Sequence, residues 1–150
     1  AAEGARIQNM DVSMSQPDVL SLMDACDAYV SLHRSEGLGL SLAEAMLLGK
    51  PVIATNFSGN TDFMDEGNSL PVRYMTEPLG RPYPPYHEDL VWARPDESHA
   101  ADLMRSLVDA PDLAGRLGAR AKASAEERLS PVAAGRRMRK RLEEIRRAWG

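Results

Sequence analysis

Two glutamates, Glu36 and Glu44, lie eight positions apart and flank a glycine-rich stretch. On one continuous helix, eight residues would separate them by about 12 Å along the axis and about 80° around it, so they would share no site. Gly37 and Gly39 break the chain between them and allow the backbone to adopt positive φ values. Because the chain turns there, both carboxylates can converge at the mouth of the helix that follows.

The start of that helix is suited to binding an anion. A helix N-terminus presents amide groups without intrahelical partners and about half a positive charge. A carboxylate beside a phosphate-binding turn is favourable only if it meets hydroxyl groups, for which it is a strong acceptor. The combination predicts a ligand with both phosphate and polyol parts, such as a nucleotide-sugar. Glycine pairs before helices are common, so this turn alone is a weak signal.

Glu44 also has a structural explanation. Ser41 and Glu44 have the spacing of a capping box, in which a serine caps the helix and the glutamate bonds back to the serine amide. No comparable structural role is evident for Glu36. The residues themselves leave both interpretations of Glu44 open.

The elements around the glycine turn form a strand, helix, strand unit. Apolar and β-branched patterns predict strands at 28–32 and 51–55 and helices at 17–26 and 42–48. Ser15 and Pro17 mark the first helix start, and Gly49 ends the second helix. Such a unit implies a parallel sheet, with ligands beyond the carboxyl ends of its strands, where the glycine turn lies. We predict an α/β fold with a Rossmann-like parallel sheet flanked by helices.

The rest of the chain is predicted to be mostly helical. Strands are expected at 70–73 and near 90–93, and helices should fill most of 96–148, divided at Pro111 and at Ser130-Pro131. Between the late strands, residues 75–89 hold four prolines and two tyrosines, Tyr83 and Tyr86, and are predicted to form an irregular loop. This loop is either a lid or acceptor contact, or a cover over a sheet edge.

Composition indicates one folded domain in residues 1–150. Hydrophobic residues make up 43% and charged residues 27%, which is globular usage. The single cysteine, Cys26, excludes an internal disulfide, and its apolar neighbours predict a buried core position. No apolar run reaches the roughly 20 residues of a membrane span, and no metal-ligand spacing is present. We expect a cytoplasmic protein, with peripheral membrane association of the full-length protein left open.

The C-terminal segment differs in charge from the rest of the chain. The net charge is −4, yet residues 131–150 carry seven Arg or Lys and two Glu. This basic segment could contact anionic lipid or nucleic acid. However, Met138, Leu142, Ile145 and Trp149 follow helical spacing. The favoured interpretation is an amphipathic helix that docks by its apolar face, with a solvated basic face and no nucleic-acid partner.

The motif block resembles a known family. The stretch SEGLGLSLAEAM at 35–46, which continues into GKPVIAT at 49–55, resembles the E-x7-E region of GT-B-fold retaining glycosyltransferases, specifically glycosyltransferase family 4. The resemblance extends from about residue 7 to the end. It implies the C-terminal, donor-binding half of a two-domain enzyme whose N-terminal acceptor domain is absent from this sequence. The chain also begins without methionine, at Ala-Ala-Glu-Gly, which suggests a fragment of a longer protein.

The resemblance implies a role for each motif residue. Glu44 would accept hydrogen bonds from the ribose hydroxyls of the nucleotide. Glu36 would contact the donor sugar's hydroxyls near the reacting carbon. The backbone amides that would face the sugar and diphosphate are those of Gly37, Leu38, Gly39 and Leu40. After the second strand, the family commonly has two glycines and a glutamate, whereas this chain has Ser58-Gly59 and then Asp62.

The implied reaction transfers a sugar from a nucleotide-diphosphate donor to an acceptor hydroxyl with retained anomeric configuration. It would need no cofactor and no obligatory metal, and electrostatic stabilisation of the leaving diphosphate would be the main catalytic contribution. The implied partners are the donor, the enzyme's own N-terminal domain and an acceptor glycan or lipid-linked glycan. These residues alone would be inactive. The alternative is a non-catalytic nucleotide-binding or scaffolding module of the same fold.

Overall fold

The computed structural model describes residues 7–82 and 84–149. Its helices are α1 (Gln16–Ala25), α2 (Leu40–Leu47), α3 (Glu97–Asp109), α4 (Pro111–Leu129) and α5 (Pro131–Trp149). Its strands are β1 (Tyr29–Ser31), β2 (Val52–Thr55), β3 (Leu70–Val72), β4 (Tyr74–Pro78) and β5 (Val91–Pro95), and a 3-10 helix spans Gly59–Asp62. In the described part of the chain, no helix combines the length and the apolar character that crossing a membrane requires.

The first three strands form a parallel sheet in the order β1-β2-β3. Val30 pairs with Ile53 in register, and Ala54 pairs with Pro71. All four residues of the central strand β2 are buried, as expected for a parallel strand covered on both faces. The predicted parallel sheet flanked by helices is therefore confirmed.

The core lies on the two faces of β2. Val52 and Ala54 pack with Met46 of α2 and with residues of α4 on one face. Ile53 points to the other face, where it packs with Leu107 of α3. Burying each larger apolar side chain contributes about 1.5–3 kcal/mol. The first of these layers fixes α2, and with it the glycine turn, against the sheet.

Local capping signals place two of the helix starts as predicted. The Ser15 hydroxyl accepts a hydrogen bond from the Asp18 amide at the start of α1. The Ser130 hydroxyl accepts one from the Ala133 amide at the start of α5. Both serines satisfy amides that the helix itself leaves without partners.

Strands β4 and β5 form a second, antiparallel two-stranded sheet. The predicted strand near 90–93 is present as β5, but it pairs with β4 rather than joining the parallel sheet. The prediction of an irregular loop over 75–89 is wrong at its start, because residues 75–78 belong to β4. Pro78 is tolerated because it is the last residue of a hairpin strand, where a lost amide donor costs little. Tyr83 lies outside the described residues.

Cys26 differs from the sequence prediction, and α5 leaves its apolar side chains exposed. Cys26 is exposed rather than buried, because it follows α1 at its C-cap position, with Sγ 3.2 Å from the Leu22 carbonyl oxygen. Helix α5 has no buried residue; Met138 is 67% exposed and Trp149 is 89% exposed. Within the described residues the apolar face of α5 stays exposed while α5 packs mainly against α4, and docking of that face against another domain stays a prediction. The periodic pattern predicts an apolar face but not what covers it.

Candidate functional site

A cleft of about 410 Å³ lies at the N-terminal end of α2, and Glu36 and Glu44 both line it. The other lining residues are Gln16, Leu38, Gly39, Leu40 and Ser41. The structure thus brings together both predicted carboxylates and three of the four predicted backbone positions. Gly37 precedes this group in the turn and is not among the lining residues.

Gly39 makes the turn that opens α2. It is the N-cap residue, and its φ of 88° lies in the left-handed region, which glycine adopts without the steric cost of a side chain. A Cβ atom there would lie 2.9 Å from Leu42 Cδ1 and 3.5 Å from Glu36 Cγ. The prediction of positive φ is confirmed for Gly39 but is wrong for Gly37, whose φ is not positive.

The first turn of α2 has no capping side chain, because its N-cap is a glycine. The Ala43 amide makes the first helical bond, to the Gly39 carbonyl at 2.9 Å. The preceding amides belong to residues 40–42, of which Leu40 and Ser41 line the cleft. The cleft therefore ends at a helix N-terminus whose amides are available to hydrogen-bond acceptors.

The capping-box interpretation of Glu44 is wrong. Helix α2 begins at Leu40, so Ser41 lies inside the helix and is not its cap. The positive φ of Gly39 lets the helix start earlier than the serine pattern indicated. Glu44 Oε1 instead accepts a hydrogen bond of 2.6 Å from Gln16 Nε2, at the start of α1. Glu44 is thus held at the cleft by another helix.

Sequence reasoning missed Gln16. The contact between Gln16 and Glu44 spans 28 positions, and no local pattern encodes a pairing at that separation. The available signal was indirect, since Gln16 directly follows the Ser15 cap and so had to lie at a helix end. Its amide group leaves the second carboxylate oxygen of Glu44 for other donors.

The Glu36 backbone is held by the turn that follows β2. Its carbonyl oxygen accepts hydrogen bonds from Ser58 Oγ at 2.6 Å and from the Gly59 amide at 3.0 Å. A Cβ atom on Gly59 would lie 2.0 Å from the Gly37 carbonyl oxygen, so only glycine permits this approach. The Glu36 side chain accepts a 3.1 Å hydrogen bond from the Gly37 amide. One predicted ligand-facing amide is therefore engaged by Glu36 itself.

A buried polar network supports this turn. Asn60 is 1% exposed and donates from Nδ2 to the Thr55 carbonyl at 3.0 Å. His33 Nε2 lies 3.1 Å from both Asn60 Oδ1 and the Phe57 carbonyl oxygen. Because both are acceptors, that nitrogen carries the hydrogen. His33 thus joins the end of β1 to the turn after β2.

The β4–β5 hairpin is attached next to Glu36. The Arg34 carbonyl accepts a 2.7 Å hydrogen bond from the Ala93 amide. The Arg34 guanidinium lies 3.8 Å above the Trp92 ring and forms an ion pair with Glu77. Cation–π contact and ion pairing favour the same arginine geometry. The hairpin therefore borders the segment that leads into the cleft.

Metal coordination has no candidate in the described ranges: within 7–82 and 84–149, no three His, Cys, Asp or Glu side chains are grouped closely enough to hold an ion. The chemistry that the cleft offers is hydrogen bonding. Its two carboxylates can accept from hydroxyl groups, and the helix amides can donate to an anion.

Comparison with known proteins gives one family and one fold. Residues 5–79 match the family described as "Glycosyl transferases group 1". Three crystal structures of Anabaena Alr3699/HepE are similar to this chain. The UDP-glucose complex has 22% identity and a TM-score of 0.62, over 85% of this chain and 30% of that chain. The complex with UDP and glucose has 22% identity and a TM-score of 0.63, over 85% of this chain and 30% of that chain.

The third structure, with UDP, has 23% identity and a TM-score of 0.54, over 82% of this chain and 29% of that chain. This chain therefore spans about 30% of the length of these three solved structures. At this level of identity, the likeness establishes the fold alone. No curated protein matches the sequence.

Proposed function

Because the chain belongs to the family of glycosyl transferases group 1, we propose that it is the donor-binding domain of a retaining glycosyltransferase of family 4. Its parallel sheet flanked by helices matches a GT-B glycosyltransferase domain. The observation that carries the proposal is the cleft in which Glu36 and Glu44 meet an uncapped helix N-terminus. Those three features suit a ligand that has both hydroxyl groups and a diphosphate.

The proposed donor is a nucleotide-diphosphate sugar. The fold neighbour Alr3699/HepE was crystallised with UDP-glucose, which supports this donor class for the present chain. In the proposal, Glu44 accepts hydrogen bonds from the ribose hydroxyls through the oxygen that Gln16 does not hold. The diphosphate lies against the amides of Leu38, Gly39 and Leu40.

Glu36 is the proposed catalytic residue, in contact with the sugar hydroxyls near the reacting carbon. Its carboxylate accepts from the Gly37 amide, and turning toward the sugar would release that amide to the ligand. The open amides then stabilise the negative charge that develops on the leaving diphosphate, which is the main catalytic contribution. The sugar passes to an acceptor hydroxyl with retained configuration, and the reaction uses no cofactor or obligatory metal.

We also propose that the acceptor is a glycan or lipid-linked glycan and that the full-length enzyme is cytoplasmic. Its acceptor domain would lie N-terminal to this one. Helix α5 supports a second domain, because its apolar residues remain exposed while α5 packs mainly against α4. Covering the apolar side chains of Met138, Leu142 and Trp149 would remove a large apolar surface from water. The basic side chains on the same helix would stay in solvent or meet an anionic membrane surface.

The first test is binding of UDP, GDP and ADP to the purified chain, measured by titration calorimetry. We expect at least one nucleotide to bind, and we expect Glu44→Ala to weaken that binding. Folded protein that binds none of the three would favour a scaffolding module over a transferase. Glu126→Ala is the matched control, because Glu126 is an exposed α4 glutamate outside the cleft.

The second test is Glu36→Ala in the full-length enzyme. We expect sugar transfer to fall about 100-fold, as when one group that stabilises a transition state is removed, while the melting temperature and nucleotide affinity stay unchanged. Full turnover by the variant would refute the assignment of Glu36. Glu126→Ala again serves as the control and should retain parental turnover.

A further inference from the structure

Ser58 has a backbone conformation that serine rarely adopts. Its φ is 78° and its ψ is −151°, in a region that is populated almost only by glycine. It is the one non-glycine residue with positive φ in the described part of the chain. A side chain held in this conformation indicates that its surroundings, or its function, require that side chain.

Hydrogen bonds from the side chain and to the backbone carbonyl hold Ser58 in place. Its hydroxyl donates to the Glu36 carbonyl oxygen at 2.6 Å. Its own carbonyl oxygen accepts from the Thr61 amide at 3.1 Å and from the Thr61 hydroxyl at 2.7 Å. The conformation is therefore fixed by specific contacts, and one of them is made to the backbone of Glu36, which lines the cleft.

Folding alone would favour glycine at this position. Glycine could adopt the same backbone angles without steric cost, and the Gly59 amide would still donate to the Glu36 carbonyl. What serine adds is the hydroxyl, whose hydrogen bond goes to Glu36. The strained side chain thus provides a second anchor for the backbone of a residue that lines the cleft.

We propose that Ser58 is a positioning residue for sugar transfer, and that its hydroxyl fixes the Glu36 backbone so that the carboxylate reaches the donor sugar. This inference rests on the proposed function. Ser58 acts through Glu36, and nucleotide affinity depends mainly on Glu44 and the α2 amides. Loss of the hydroxyl should therefore affect the chemical step more than donor binding.

The test compares Ser58→Gly with Ser58→Ala in the full-length enzyme. Both variants lack the hydroxyl, but glycine relieves the strain and alanine retains it. We expect kcat to fall about tenfold in both variants, because a small misplacement of a catalytic group lowers the rate of the chemical step. The KM for the donor should be nearly unchanged. The melting temperature should not fall in Ser58→Gly but should fall in Ser58→Ala.

A merely structural role predicts a different pattern, in which kcat follows stability and Ser58→Gly keeps full activity. That result would overturn the proposal. Ser106→Ala is the matched control, because the Ser106 hydroxyl donates to the Leu103 carbonyl at 2.7 Å in α3, away from the cleft. It removes the same kind of hydrogen bond and should leave kcat and KM unchanged.

Hydrogen exchange of the Gly59 amide, followed by NMR in the same proteins, tests the positioning without requiring activity. The Gly59 amide shares its acceptor with Ser58, so a looser Glu36 backbone should expose it more often. We expect exchange about tenfold faster in both variants, including the one that is not destabilised. Unchanged exchange would overturn the role of Ser58, whereas absence of transfer by the parent enzyme would refute the proposed function instead.

Discussion

Helices α2 and α3 begin in opposite ways. The N-cap of α2 is Gly39, which has no side chain to offer the first-turn amides. The N-cap of α3 is Asp96, whose Oδ1 accepts from the His99 amide at 2.9 Å. That hydrogen bond from the backbone, and to a smaller extent one from the Ser98 hydroxyl, lowers the pKa of Asp96 below its ordinary value. The His99 amide in the first turn of α3 is thus satisfied by a capping side chain, whereas the first-turn amides of Leu40 and Ser41 in α2 open onto a cleft.

The difference shows what an unprotected helix start contributes. A capping side chain stabilises a helix by about 1 kcal/mol relative to alanine but by only about a few tenths of a kcal/mol relative to glycine, so α2 loses little by having a glycine N-cap. Buried packing of Leu42 and Met46 holds α2 in place instead. The first turn can therefore remain available to a ligand without loss of the helix. Four substitutions test this contrast between the open start of α2 and the closed start of α3.

Gly39→Asp should have the largest effect, because it would place a carboxylate at the open start of α2. We expect nucleotide affinity to fall at least about 100-fold, because the new charge would repel the diphosphate and occupy the amides. Titration calorimetry measures the loss. Gly49→Asp is the control, since Gly49 also has positive φ but lies at the other end of α2. If Gly39→Asp bound nucleotide like the parent, the open amides would not hold the diphosphate.

Glu44→Ala should weaken nucleotide binding about tenfold, because hydrogen bonds to a charged group are lost. The free energy of unfolding should change by less than about 0.5 kcal/mol, since Glu44 takes no part in a capping box. Calorimetry and denaturant unfolding measure the two quantities. A loss of stability with intact binding would reverse our assignment and make Glu44 a structural residue.

Gln16→Ala should weaken nucleotide binding about twofold to threefold, because Glu44 loses the side-chain amide that orients its carboxylate but keeps the carboxylate itself. The measurement is the same titration. In the Glu44→Ala background, the additional effect of Gln16→Ala should vanish, because the two residues act through one contact. Independent, additive effects would show that Gln16 contacts the ligand separately.

Asp96→Ala should have the smallest effect and should leave nucleotide binding unchanged. We expect a lower melting temperature than the parent at pH 7. A carboxylate whose pKa is lowered by folding stabilises the folded state fully when the pH is above its ordinary pKa of about 3.9. This stabilisation is lost as the pH falls through the pKa of the folded state. The difference in melting temperature between variant and parent should therefore become smaller as the pH is lowered toward and below that range. Asp102→Ala, an exposed change in the same helix, should show no such dependence.

Local patterns predicted the elements that carry the candidate site. The apolar run at 51–55 became β2, the Ser15 cap marked α1, and the sequence around the glycine turn led to α2. These signals were readable because strand propensity, capping and turn formation depend on near neighbours. The capping box failed for a related reason. Two local start signals competed, and the left-handed Gly39 prevailed over Ser41.

Features that depend on distant partners were not predictable. The hairpin depends on pairing between β4 and β5 across an intervening loop. The number of prolines in that segment does not predict such a pairing. Cys26 is exposed because α1 ends directly before it, and α5 is exposed because no other element of the described residues covers its apolar face. Strand pairing and side-chain exposure both depend on which distant elements pack against the segment in question.

The sequence by itself determined that a glycine turn would precede a helix at the carboxyl edge of a parallel sheet, with an acidic residue on each side of the turn. Those properties follow from backbone sterics and hydrophobic periodicity within short windows. Only the tertiary structure decided that Gln16 holds Glu44 and that Ser58 holds Glu36. Such hydrogen bonds join residues more than 20 positions apart, so they exist only after packing has brought the elements together.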